Sequence, residues 1–164
     1  MVTVARLREL FSYDPETGVI RWLVDRNNHV KSGDVAGCIN CGYRVIGVDG
    51  SSNLKAQRIA WALHYGAWPT QRLDHINRDP ADNRIANLRL ATHAQNIANT
   101  QSKRTGRPKG VYWHKQRQRW HSNITVGGKK KHLGLFDTEA EAAAAFARAS
   151  QEIYGDFSRV EARP

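Results

Sequence analysis

Residues 74–96 read DHINRDPADNRIANLRLATHAQN, and this stretch decides how the first part of the chain folds. Apolar residues alternate through 72–76 and 87–91, which flank a polar loop, so two strands joined by a loop are expected. Thr92 and the glutamine three positions later have the spacing of a capping box, which predicts a helix that begins at His93. The order is therefore strand, loop, strand, helix.

The two ends of this stretch carry side chains suited to cutting a phosphodiester bond. Histidine is a common general base because its pKa lies near physiological pH, which gives His75 a possible role. The carboxylate of Asp74 and the amide oxygen of Asn96 are ligands that a hard ion such as Mg²⁺ prefers. Neighbours in a regular strand point to opposite faces, so Asp74 and His75 share one site only if the chain twists or turns there. A polar surface turn is the plain alternative.

The same stretch, with upstream YDPETGVIRW and RIAWALHYG, resembles the H-N-H motif of phage and homing endonucleases, the ββα-metal nucleases. The resemblance implies that His75 is the general base and that Asp74 and Asn96 bind Mg²⁺ or Mn²⁺. It implies that Asn87 braces the hairpin through backbone hydrogen bonds. Gln57 departs from the pattern, since this branch often has histidine there.

Two further asparagines and two cysteines are given ordinary roles. Asn83 is expected to be a loop residue, and Asn99 to be structural or a phosphate contact. Cys38 and Cys41 have the spacing of a zinc half-site, but the chain has only these two cysteines. Because a structural zinc needs four ligands, two ordinary thiols are expected.

The positive charge is concentrated in one third of the chain. The net charge is +10, and no Asp or Glu occurs between Asn83 and Phe136, where twelve Lys or Arg lie. The remaining residues carry 13 basic and 15 acidic side chains. A localised excess of this kind is typical of a surface that binds the phosphate backbone of a nucleic acid.

The C-terminal part is predicted to be a second α+β unit. Strands are expected at 111–115, 119–126 and 129–136, and a capping box at Thr138 begins an alanine-rich helix that Gly155 ends. Trp113 and Trp120 are expected mainly in its core, with at most one of them contacting a ligand.

This part resembles the Apetala-type DNA-binding domain through Gly110-Val111, Trp120 with Ile124, the word LGLFDT and the final Tyr154-Gly155. The resemblance implies that the sheet lies in the major groove of double-stranded DNA. The residues expected to bind DNA are Arg107, Lys109, Tyr112, His114, Lys115, Arg117, Arg119, Lys129, Lys130 and Lys131.

The predicted fold class is α+β, with a ββα-metal nuclease domain followed by a small three-stranded antiparallel sheet packed on one helix. The predicted domains are residues 1–99, with the H-N-H motif at 72–99, a basic linker at 100–109 and the DNA-binding domain at 110–160. No apolar run is long enough for a membrane helix. A monomer in the cytoplasm, that of a bacterial host if a phage encodes it, is expected.

The leading hypothesis is a metal-dependent DNA endonuclease that nicks double-stranded DNA and needs no small-molecule cofactor besides the metal. One alternative is a catalytically inactive DNA-binding regulator with a nuclease-like fold. Another is an RNA-binding basic protein, which would bind without cleavage and without metal dependence.

Overall fold

The computed structural model describes residues 2–100 and 108–158. The chain divides into two units, Met1–Ala91 and Thr92–Pro164, and both mix helices and strands, as the predicted α+β class requires. The division precedes the predicted linker, because the helix that follows Ala91 folds with the second unit. Arg107 and most of the predicted linker lie outside the described residues. None of the helices in the described ranges combines the length and the apolarity of a membrane span.

The first unit consists of two helices and three small antiparallel sheets. Its elements are α1 (Val4–Leu10), β1 (Phe11–Tyr13), β2 (Ile20–Trp22), β3 (Cys38–Asn40), β4 (Tyr43–Val48), β5 (Ser51–Lys55), α2 (Ala56–Tyr65), β6 (Arg72–His75) and β7 (Leu88–Ala91). The sheets pair β1 with β2, β3 with β4 and β5, and β6 with β7. The short strands β1 and β3 were not predicted, because three residues give too little alternation to recognise.

The sheets of the first unit pack against a common hydrophobic core. Leu7 of α1, Ile20 of β2, Ile46 of β4 and Ile59 of α2 are fully buried in it. Leu88, the first residue of β7, belongs to the same core. The strand that pairs with β6 is therefore anchored to a well-packed support, and rigid support is what a precisely placed functional side chain requires.

In the described part of the second unit, a three-stranded antiparallel sheet is accompanied by two α-helices. Its elements are α3 (His93–Asn99), β8 (Val111–His114), β9 (Arg119–Val126), β10 (Lys129–Phe136) and α4 (Glu139–Tyr154), with strand order β10-β9-β8. Helix α4 packs on β9 and β10, and α3 contacts α4. The predicted strands and the predicted helix starts at His93 and after Thr138 are confirmed to within a residue or two.

The register of this sheet separates two faces. Val111 pairs with Ser122, and both are buried with Ile124 on the side that α4 covers. Trp113 pairs with Trp120 on the same side, with ring centroids 5.3 Å apart. Trp113 is nevertheless 39% exposed. The prediction that Trp113 is a core residue is therefore wrong, because the strand end that carries it extends past the buried part of the sheet.

Thr138 gives a direct test of how much local sequence stabilises the second unit. Its hydroxyl accepts a hydrogen bond from the Glu141 backbone N–H, and its own N–H donates to the Glu141 carboxylate, both at 3.2 Å. Thr138→Ala should lower the free energy of unfolding by about 1 kcal/mol. Urea unfolding followed by circular dichroism measures this. Thr138→Ser retains the hydroxyl and should be close to wild type; equal losses in both variants would contradict the capping explanation.

Candidate functional site

Asp74 and His75 occupy the last two positions of β6, and both side chains are buried, with 5% and 6% exposure. In the register with β7, Asp74 lies opposite Arg89 and His75 opposite Leu88. The pairing shows no register shift through either position, and the chain turns directly after His75, whose carbonyl accepts a hydrogen bond from the Arg78 N–H at 2.9 Å. Each of the two side chains has its own set of neighbours.

Asp74 makes an ion pair across the hairpin. Arg89 Nε lies 2.9 Å from Asp74 Oδ2, and both side chains are largely buried. Arg89 holds the Asp74 carboxylate in place across the hairpin, and carboxylate oxygens are ligands that suit a hard cation.

His75 is held by an asparagine of the β6–β7 loop. His75 Nε2 lies 3.4 Å from Asn83 Oδ1, and Asn83 is only 2% exposed. Asn83 is a loop residue, as predicted, but its side chain lies in the interior beside His75, which the sequence did not indicate. Burial lowers the pKa of His75 below its ordinary value, and the hydrogen bond with Asn83 partly offsets this shift. A histidine that is neutral at pH 7 can accept a proton, as a general base must.

Tyr43 of the β3–β4–β5 sheet also lies near His75, and Lys55 of the same sheet lies against Tyr43. The Tyr43 ring centroid is 6.2 Å from that of His75, and the Lys55 ammonium lies 3.8 Å from the Tyr43 centroid. Sequence reasoning missed both, because Tyr43 and Lys55 are at least 20 positions upstream and belong to ordinary strand patterns. They bring an aromatic surface and a cation to the neighbourhood of the buried histidine.

Asn87 connects the two ends of the β6–β7 loop. Its Oδ1 accepts from the Asn77 backbone N–H at 2.9 Å, and its Nδ2 donates to Asn77 Oδ1 and to the Asp82 carbonyl, each at 2.9 Å. Asp82 also accepts from Arg84, which holds the pKa of Asp82 at about 2. The loop thus has a fixed path, with Asn87 as the residue that joins its two sides.

Asn96 lies on the first turn of α3, in the second unit. The helix begins with the predicted capping box, in which Thr92 Oγ1 accepts from the Gln95 N–H and the Gln95 side chain accepts from the Thr92 N–H. At the other end, Lys109 Nζ donates to the carbonyls of Ala98 and Thr100, at 3.1 and 3.3 Å. The pairing of Asn96 with Asp74 stays a prediction.

The two predicted metal ligands, a carboxylate and an amide oxygen, are of the type that a hard divalent cation prefers. Within residues 2–100 and 108–158, no group of three or more His, Cys, Asp or Glu side chains is arranged to hold a metal ion. The predicted ligand pair, Asp74 and Asn96, contains a single residue of these four types. The absence of a group of three or more such residues among those described therefore does not test it. A carboxylate and an amide oxygen suit Mg²⁺, which keeps several waters when bound to protein.

Gln57 is buried, whereas Cys38 and Cys41 are exposed. Gln57 is buried on α2 with 4% exposure, and its Oε1 has no hydrogen-bond partner within the described ranges. Cys38 and Cys41 are exposed free thiols. Position 57 therefore carries a buried polar group, whereas the two cysteines lie on the surface of the β3–β4 hairpin.

The residues predicted to bind DNA do not share one surface. Strand register places Tyr112, His114, Arg119 and Lys130 on the sheet face opposite α4, while alternation turns Lys129 and Lys131 away from it. Lys115 and Arg117 lie in the β8–β9 turn. Arg119 is ion-paired with Asp137 at 2.8 Å, and both side chains are well exposed.

Lys109 has a structural role that its charge did not reveal. Its ammonium group is engaged by backbone carbonyls at the C-terminal end of α3, where a cation stabilises the helix. The DNA contact predicted for Lys109 stays a prediction.

Two neighbouring histidines lie on the face opposite α4. His121 Nε2 and His132 Nδ1 are 2.8 Å apart, on neighbouring strands β9 and β10. Burial lowers the pKa of His121, and His132, His114 and Lys130 lower it further. This face therefore has a charge that depends on pH close to neutrality.

Comparison with known proteins identifies the class of residues 54–98, which include α2, the β6–β7 hairpin and most of α3. The family model for HNH endonuclease matches residues 54–98, a range that contains Asp74, His75, Asn87 and Asn96. Protein 3.8 of Escherichia phage T7 is 34% identical over 89 residues, which cover 53% of this chain and 73% of that protein. The chain belongs to the HNH endonuclease family, which makes it a protein of the nuclease type. No solved structure matches it.

Proposed function

We propose that the protein is a metal-dependent DNA endonuclease that nicks double-stranded DNA. The observation that supports this best is the buried histidine at the end of β6, held beside Asn83 with a pKa lowered by burial. It occurs in a chain of the HNH endonuclease family, at the motif that the family model covers.

In this proposal His75 removes a proton from the attacking water, and the hydroxide adds to phosphorus in line with the 3′ oxygen. The bond from phosphorus to the 3′ oxygen breaks, and the departing oxygen takes a proton from solvent. Asp74 and Asn96 would hold Mg²⁺ or Mn²⁺. A bound divalent cation supplies charge that stabilises the phosphate and the leaving oxygen. Asn87 keeps the loop between the strands in a fixed path. The products are a 5′-phosphate and a 3′-hydroxyl, and one site in each chain cuts one strand.

The decisive experiment uses supercoiled plasmid with phage or bacterial genomic DNA run alongside, because the plasmid can lack a target site. Conversion to open circles with Mg²⁺, and its loss in EDTA, is the expected result. Absence of nicking on every DNA, or nicking that EDTA leaves unchanged, would remove the metal-dependent assignment.

A catalytically inactive DNA-binding regulator is the second candidate, and the Asp74–Arg89 ion pair favours it. The guanidinium neutralises the carboxylate that would bind the cation. In that case the protein would bind DNA without cutting it, and the plasmid would remain supercoiled at every Mg²⁺ concentration.

We propose further that the second unit is an Apetala-type DNA-binding module that presents the sheet face opposite α4 to the major groove. Tyr112, His114, Lys130 and His132 lie on that face, and Lys115 and Arg117 in the adjoining turn extend its positive charge. Aromatic and cationic side chains together are suited to contacts with bases and phosphates.

Neutralising this face should weaken binding and flatten its dependence on salt. In the double variant Arg117→Gln with Lys130→Gln, the slope of log affinity against log salt concentration should become less steep by about 2. Each phosphate that loses its contact with a cation accounts for about one unit of this change. Fluorescence anisotropy with duplex DNA measures this. Lys31→Gln with Arg21→Gln, in the first unit, is the matched control. Substitution is preferable to deleting 107–164, because that deletion also removes Lys109 and α4, which contact α3.

Binding to DNA should strengthen as the pH falls. The pKa of His121 is lowered in the free protein. A phosphate close to the ring would raise this pKa, because it favours the protonated form. The protein should therefore take up protons when it binds DNA. Affinity at constant salt should therefore rise between about pH 8 and about pH 5.5, around the ordinary histidine pKa of about 6.5. His121→Gln should reduce this rise, and His64→Gln should not. An identical pH dependence in all three proteins would contradict a role for His121.

A further inference from the structure

The amide of Asn83 is oriented by two neighbours. Its Nδ2 donates to the Ala81 carbonyl at 3.1 Å, and its Oδ1 lies 3.4 Å from His75 Nε2. An amide nitrogen can only donate, so the contact with Ala81 determines which end of the side chain is oxygen. The atom that faces the imidazole is therefore an acceptor, and it requires a proton on Nε2.

We propose that Asn83 is a positioning residue that holds His75 in the tautomer with its proton on Nε2. A neutral imidazole carries one proton, so this tautomer leaves the lone pair on Nδ1. The identity of Nδ1 as the atom that accepts the proton from water rests on the proposed function. The tautomer itself is a property of the folded protein and can be measured without any reaction.

The backbone around Asn83 is fixed from the other end of the first unit. The Tyr13 hydroxyl donates to the Asn83 carbonyl at 2.8 Å, and the N–H of Ile85 donates to the Pro15 carbonyl at 3.1 Å. The turn that joins β1 and β2 therefore lies directly against the segment that supports His75.

Gly18 makes that close approach possible. Its φ is +74°, and a Cβ placed on it would lie 2.5 Å from the Arg84 nitrogen and 2.6 Å from the Asn83 carbonyl carbon. Both atoms belong to backbone, which cannot move aside as a flexible side chain can. The turn that begins at Asp14 is remote in sequence from the histidine. It nevertheless holds the backbone of Asn83 in place, and with it the start of the Asn83 side chain.

The tautomer is a defined quantity at a pH above the ordinary histidine pKa of about 6.5, because the neutral ring has its single proton on one nitrogen or the other. A neutral hydrogen bond of ordinary strength corresponds to a preference of about five- to tenfold between two such states. Nε2–H should therefore be the dominant form.

The test is a long-range ¹H–¹⁵N spectrum of the imidazole rings in the full-length protein without metal, at a pH where the ring is neutral. The His75 signals are assigned as those missing from His75→Gln. Asn83→Leu removes the acceptor at similar size, and Asn83→Asp retains an oxygen that faces the ring. The expected result is Nε2–H in the wild type and in Asn83→Asp, and a loss of about five- to tenfold preference in Asn83→Leu.

A wild-type ring protonated on Nδ1, or an unchanged tautomer ratio in Asn83→Leu, would overturn the proposal. If Asn83→Leu does not fold, the Asn83→Asp spectrum decides, because loss of the Nε2–H form there contradicts an acceptor role for this position. In nicking assays the proposal also expects Asn83→Leu to lower kcat with little change in KM. An unreactive wild type with the expected spectrum would refute the nuclease function and leave the tautomer assignment intact.

Discussion

Replacing His75 with alanine should lower the rate of plasmid nicking by about 10²- to 10⁴-fold, the contribution that a positioned general base makes. The residue is buried at the end of β6, beside Asn83, and its pKa is lowered by burial, so the neutral form that accepts a proton dominates at pH 7 to 8. Time courses of open-circle formation at saturating Mg²⁺ measure the effect.

Two controls separate lost chemistry from lost structure. His64→Ala removes an exposed histidine of α2 and should nick like the wild type. His75→Gln keeps a polar side chain near the size of the imidazole, so it limits any cavity while still removing the base. Nicking by His75→Gln at the wild-type rate would show that another group deprotonates the water.

Replacing Asn87 with alanine should destabilise the first unit by about 2–4 kcal/mol. The variant lacks three hydrogen bonds of 2.9 Å, to the Asn77 N–H, to Asn77 Oδ1 and to the Asp82 carbonyl. A part-buried donor or acceptor without its partner costs about 1–3 kcal/mol, which exceeds the net value of an ordinary hydrogen bond. Urea unfolding monitored by tryptophan fluorescence reports the change.

The matched control is Asn40→Ala, at an exposed position of β3, which should change the free energy of unfolding by less than about 0.5 kcal/mol. Comparable losses in both variants would mean that Asn87 does not brace the loop. Nicking by Asn87→Ala should fall as well, because the path between the two strands also determines where Asn83 lies.

The sequence predicted the β6–β7 hairpin, the α3 capping box and the three strands of the second unit because these features depend on neighbours in the chain. Alternation of apolar residues and a Thr with Gln or Glu three positions later are local signals. The hydrogen bonds of Asn87 were expected from the family resemblance, and the loop in the structure has them.

What the sequence could not predict depends on contacts between distant segments. Asn83 is eight residues from His75 in a polar run, and only the folded loop brings its amide to the imidazole. The Lys109 ammonium has the same charge as its neighbours, and nothing in the local pattern shows that it binds carbonyls of α3. The pair His121 and His132 depends on a register between β9 and β10 that shifts at His132.

The contacts of the helix that carries Asn96 determine where this chain can be joined to another protein without loss of structure. Its C-terminal carbonyls are held by Lys109, and it contacts α4, so it folds with residues that follow the basic linker. A chimaera joined within the linker would give α3 a foreign partner and remove its cation. Exchange of the C-terminal residues at that junction should therefore destabilise α3, whereas a junction between Ala91 and Thr92 transfers the helix together with the residues that support it.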